Sequence, residues 1–211
     1  MEISAQLVKQ LRERTGAGMM ECKSALIESK GDLGDAEVVL RKRGIASAAK
    51  KATRTTKQGV IASYIHPGSQ LGVLVEVNCE SDFVARTEDF QALVHDLAMQ
   101  IAAADPKFLR KEDVTESALA MEREIQRARA LAEGKPEKIV DKIVDGRMNK
   151  FYEEVCLYEQ PFIKENTTTI ADLIKAKIAK LGENISVSRF ARFKVGDAAP
   201  AEAGSEAPSS Q

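Results

Sequence analysis

Tryptophan is absent, and three cysteines and two histidines are all that 211 residues offer in thiol and imidazole chemistry. Cys22, Cys79 and Cys156 are far apart and odd in number, which argues against a disulfide scaffold and for a reducing compartment. No Cys-x-x-Cys or His-x-x-x-His pair supplies the ligand spacing of a zinc site. There is no Walker loop and no dinucleotide fingerprint. Thr15-Gly16-Ala17-Gly18 is too short for either and follows a helical pattern rather than a strand. No apolar run is long enough to cross a bilayer. Net charge is −1, so the whole chain lacks the positive field of a nucleic-acid or membrane binder, and neither partner is expected. Met1-Glu2-Ile3-Ser4 enters a helical pattern directly, from which we expect no targeting segment and a cytoplasmic location.

Catalysis needs a nucleophile, a base and an orienting group. Cys79, His66 and Asp82 make the best assembly available. Cys79, however, falls in phase with Val73, Val75 and Val77, which places it in the core as a small hydrophobe. His66 lies in a turn and His95 lies off the apolar stripe of its helix, so both are expected in solvent. The residues therefore point to a binding protein rather than an enzyme, with no cofactor.

What is present is 44% hydrophobic and 30% charged, as in ordinary globular proteins. Ser4 reads as an N-cap, with Ile3 and Val8 at staple positions. A first helix carries Ile3, Leu7, Val8 and Leu11. A second carries Met19, Cys22, Leu26 and Ile27 and stops at Gly31. Asp32 caps a third through Leu33, Ala36, Val39 and Leu40, expected to end at Gly44. From Arg41 to Lys57 there are seven basic residues and no acid, read as a partly helical linker. A phosphate-contacting patch is the sharper alternative, disfavoured by the lack of interleaved aromatics and of a glycine-rich loop.

Two strands follow, at 59–65 and 71–79, joined by His66-Pro67-Gly68-Ser69-Gln70. Helices are expected near 88–104 and 115–133, then up to Gly146, from Met148 to Cys156, and from Thr169 to Gly182. The last strand, 185–195, puts Ile185, Val187, Phe193 and Val195 on one face, Phe190 and Arg192 on the other. This order predicts an α+β fold: a helical bundle, then a three-stranded antiparallel sheet packed with helices. The divisions are 1–45 for the bundle, 46–57 for the linker, 58–196 for the α+β core and 197–211 for a disordered tail.

The clearest strand meets the clearest helix at Cys79-Glu80-Ser81-Asp82-Phe83-Val84-Ala85-Arg86. Asp82 is suited to cap the helix, and Thr87 offers a second cap, so the helix is expected to begin twice. On pattern alone Phe83 belongs in the core; an exposed Phe beside a carboxylate would be an interface anchor. Met19 and Met20 face the same choice, between partial burial and a soft contact to a partner.

Several motifs resemble the elongation factor Ts family. They are residues 11–23, Leu40-Arg41-Lys42-Arg43-Gly44, residues 75–86, Glu159-Gln160-Pro161-Phe162 and Gly182-Glu183-Asn184-Ile185. The resemblance runs in order from residue 1 to about 196. It implies a guanine-nucleotide exchange factor for elongation factor Tu that binds the GDP form and releases GDP and Mg²⁺. It implies a ubiquitin-associated-like character for the bundle. It makes Asp82 and Phe83 the intruding pair, flanked by Ser81 and Val84, and reverses the expectation for Phe83, which should then be exposed. Arg12, Met19, Met20 and Lys23 match positions that pack against the Tu nucleotide domain. Ser81 stands where the family usually has Thr. The length resembles the compact form, with one sheet subdomain and no protruding coiled-coil hairpin, in which a homodimer through the sheets is possible. Ala191 stands where some compact members place a Cys. Two other classes stay open: an adaptor working through the bundle, and an RNA-associated factor using residues 41–57.

Overall fold

Local capping sets the N-terminal helices. The computed structural model describes residues 3–197, so the expected tail lies, apart from Asp197, outside the described residues. Ser4 caps α1 (Ala5–Thr15), its Oγ accepting from the Leu7 N–H. Gly16 ends α1 in the left-handed region, where a Cβ would be strained. α2 (Met19–Glu28) and α3 (Leu33–Lys51) complete the bundle, and Asp32 caps α3 by accepting from the Asp35 N–H. Val8, Leu11, Cys22, Ala25, Leu26 and Ala36 are its buried centre.

α3 does not end at Gly44 but continues to Lys51. The glycine is a contact residue rather than a cap: a Cβ there would lie 3.1 Å from the Ala179 Cβ of α8 (Ile170–Leu181). The first half of the expected linker, 46–51, is therefore helix. Ala48, beyond the glycine, is buried in the main core, so one helix joins bundle to core.

β1 (Gln58–Ile65) and β2 (Leu71–Cys79) form the expected hairpin, and β5 (Ile185–Lys194) pairs antiparallel on the other side of β2. Val73, Val75, Val77 and Cys79 face inward onto α5 (Glu88–Ala104), whose Phe90, Leu93, Val94, Leu97 and Ile101 form the matching stripe. Burying each such side chain contributes roughly 1.5–3 kcal/mol. One side of the sheet is thus covered by α5 and α8.

β5 breaks its own alternation. Val187 pairs with Val77 and Arg189 with Glu76, so Ser188 is an extra residue opposite nothing. A bulge of one residue sends every later side chain to the other face. Ile185 and Val187 point into the core, but beyond Ser188 it is Phe190 that packs inward, while Phe193 and Val195 are exposed. The strict two-residue face expected for this strand therefore holds only for its first part.

Two further departures lie between α5 and α8. The expected pair of helices about Gly146 is a single one, α7 (Glu137–Val155). Val140, Val144 and Met148 keep one stripe across the glycine and pack against Ala130 of α6 (Glu116–Ala132). That packing outweighs the cost of about 1 kcal/mol for a helical glycine. α6 and α7 form an antiparallel hairpin with its own small core, crossed by ion pairs Arg123–Asp145, Arg127–Asp141 and Arg147–Glu133. A small unexpected hairpin, β3 (Pro161–Phe162) with β4 (Glu165–Thr169), follows. It is held by the buried Gln100 side chain, which donates to Gln160 Oε1 at 3.1 Å and accepts from the Ile163 N–H at 2.9 Å. No described helix is long and apolar enough to cross a membrane.

Candidate partner-binding site

Where β2 ends, the chain makes one helical turn, α4 (Asp82–Ala85), before α5 begins. Two caps produce this break. Ser81 has extended backbone and its Oγ accepts from the Val84 N–H at 3.4 Å. Thr87 Oγ1 accepts from the Phe90 N–H at 3.3 Å and starts α5. The double start is as expected, but the first cap is Ser81, not Asp82. Asp82 occupies the first helical position, where its charge suits the helix dipole, and pairs with Arg86 at 2.9 Å one turn on.

The turn has two sides. Ala85 is buried and Val84 packs against the main core. Phe83 points the other way and is 79% exposed. Leaving such a ring in water forgoes roughly 1.5–3 kcal/mol that burial would supply. The turn itself is fixed. Glu183 accepts from the Glu80 N–H at 3.1 Å, the Ser81 N–H at 2.9 Å and the Ser81 hydroxyl at 2.6 Å. Glu80 accepts in return from the Asn184 N–H at 2.7 Å. The Asn184 side chain is buried and donates to the Ala52 and Arg54 carbonyls, tying the end of α3 to the same corner. Behind the turn, the Cys79 thiol is pushed up by burial first and by the Glu183 charge next. It is buried and uncharged, not a nucleophile.

The N-terminal candidates form a second set. Met19 is 54% and Met20 75% exposed at the start of α2. Arg12 and Lys23 are exposed as well. Ile27, one of the apolar residues expected to pack, is instead exposed, two turns from Met20 on the same side of α2. It extends this apolar face. α2 packs against α1 and α3, while α4 packs against β1, β2 and α5, so the two sets are carried by different parts of the molecule. Within the basic stretch, Arg43 pairs with Glu28 and Arg54 with Glu80, so part of its charge is already engaged.

Glu183 and Asn184 lie more than a hundred residues from Ser81, and spacing alone does not connect them. The β2–β5 register does: Cys79 pairs with Ile185, so residues just past β2 meet residues just before β5.

These features define an α+β protein with exposed apolar side chains, Phe83 and the pair Met19 and Met20, at the starts of two helices. A family model described as Elongation factor TS matches residues 45–197. Elongation factor Ts of Solibacter usitatus (strain Ellin6076) is 73% identical over 210 residues, covering 100% of this chain and 99% of the relative. That of Koribacter versatilis (strain Ellin345) is 64% identical over 93% of this chain and 90% of its own. That of Moorella thermoacetica is 60% identical over 92% and 96%. The chain belongs to the elongation factor Ts family, the proteins of translation elongation that bear this name.

Proposed function

We propose that this protein is the guanine-nucleotide exchange factor for elongation factor Tu, binding its GDP form and promoting release of GDP and Mg²⁺. The observation that carries this reading is Phe83, a large apolar ring held out in water on a capped and anchored turn. Exchange requires differential binding: the factor must favour the state with an open nucleotide site, since equal affinity for both states shifts nothing. A rigid ring that occupies space only in the distorted site supplies that difference. Asp82 stands beside it, with Ser81 and Val84 fixing the turn. Arg12, Met19, Met20 and Lys23 provide a separate docking face for the Tu nucleotide domain, to which Ile27 adds. The task needs no nucleophile, metal or cofactor from this chain.

The chain divides by role into the docking bundle 1–45, a basic connector 46–57 whose first half is the end of α3, and the α+β core 58–196. The outer side of the sheet supports a homodimer. Ile65, Gly72 and Phe193 lie in one row across the three strands, and Ser63, Leu74 and Ala191 in the next. Ile61, Ile65, Leu74, Phe193 and Val195 are all exposed there. An apolar sheet face of this kind is suited to a second copy of itself.

Release of a fluorescent GDP from elongation factor Tu, followed with and without the protein, tests the function. Acceleration is expected; a rate equal to spontaneous release contradicts it.

A further inference from the structure

Phe83 is too exposed to be held by its own contacts, so its direction is set by the backbone that carries it. That backbone is a single helical turn, too short to be stable alone. What holds it comes from elsewhere in the chain. Gly182 ends α8 in the left-handed region and turns the chain toward β5. The next residue, Glu183, meets the end of β2 and takes three hydrogen bonds from Glu80 and Ser81. Bonds to an ionised acceptor are about twice as strong as neutral ones.

The Ser81 hydroxyl has one proton and two lone pairs. Its proton goes to Glu183 at 2.6 Å, which leaves a lone pair for the Val84 N–H. The carboxylate therefore sets the hydroxyl orientation that capping α4 requires. We infer that Glu183 is a positioning residue: it aims Phe83 by clamping Glu80 and Ser81 and orienting the Ser81 cap. The inference rests on the reading of Phe83 as the anchor. Glu183→Gln keeps the shape but offers one acceptor oxygen where two are used.

A double-mutant cycle in the GDP-release assay tests it, with wild type, Phe83→Ala, Glu183→Gln and both together. Glu183→Gln slows release about tenfold in the wild-type background and less than about twofold when Phe83 is already Ala, because residues acting as a unit are not additive. Equal slowing in both backgrounds, or none in the first, overturns the inference. If Phe83→Ala alone has no effect, it is the anchor reading that fails. Amide exchange of the free protein reads the clamp independently of Tu. The Glu80 and Ser81 N–H groups are expected to exchange at least about tenfold faster in Glu183→Gln, and unchanged protection contradicts the clamp. Should Glu183→Gln not fold, Ser81→Ala removes the hydroxyl alone and should slow release in the same non-additive way; unaltered release in that variant counts against the proposal.

Discussion

Asp89, in the first turn of α5, accepts hydrogen bonds from Lys180 and Lys177 of α8, 2.8 and 2.9 Å away. The Lys180 bond is the larger cause, and together they hold the carboxyl below the ordinary carboxylate range. A depressed carboxyl stabilises the fold above its unfolded pKa, and that contribution is lost as pH falls through the folded value. The pairs are partly exposed, so Asp89→Asn should cost only about 1 kcal/mol at pH 7. The cost should vanish in acid, below the folded value. Thermal unfolding of both proteins across pH 7 to 2 checks this, and a difference that stays constant would remove the Asp89 pairs from the account. Cys79 was legible from its two-residue phase with Val77. Phe83 was not legible from periodicity, because a one-turn helix has too few residues to show a stripe; only the family resemblance led to the expectation of an exposed ring. Its exposure follows from Ser81 and Thr87 as two successive caps, of which periodicity carries no trace.

At the scale of elements, glycine needs context. Gly44 and Gly146 both looked like helix ends, and both lie inside helices. Gly44 gives α8 room, whereas nothing lies within 4 Å of a Cβ built on Gly146. A branched side chain at Gly44 should therefore force α3 off Ala179 and destabilise the protein by about 1–3 kcal/mol, as overpacking does. At this size that lowers the melting temperature by roughly 2–4 °C per kcal/mol. Gly44→Val with an unchanged or raised melting point would show the contact to be slack. The helices and the β1–β2 hairpin were readable because their periods run for several turns or residues. The β5 bulge and the β3–β4 hairpin were not: a single extra residue and a two-residue strand leave no period to read. The reciprocal Glu80–Asn184 and Glu183–Ser81 bonds depend on strand order, which local pattern does not contain.

For the whole molecule, α3 and the Glu183–Asn184 corner join the two candidate docking sets through one continuous frame. The bundle meets the main core through α3, and Asn184 ties the end of that helix to the Phe83 turn. The outer sheet face is a third exposed apolar surface. We predict a dimer in light scattering of the free protein, and a monomer for Phe193→Asp, which places a charge in the row with Ile65. A wild-type monomer, or a variant that remains dimeric, would exclude this face as the dimer interface. The central claim concerns Phe83, and its most direct measurement is the rate at which fluorescent GDP leaves elongation factor Tu in the presence of wild type or Phe83→Ala. The exposed ring supports no buried contact, so the variant should melt as wild type does. In its presence elongation factor Tu should release GDP at least about tenfold more slowly than with wild type, about 1.4 kcal/mol of lost transition-state stabilisation. Release at the wild-type rate by a folded Phe83→Ala protein would contradict the account.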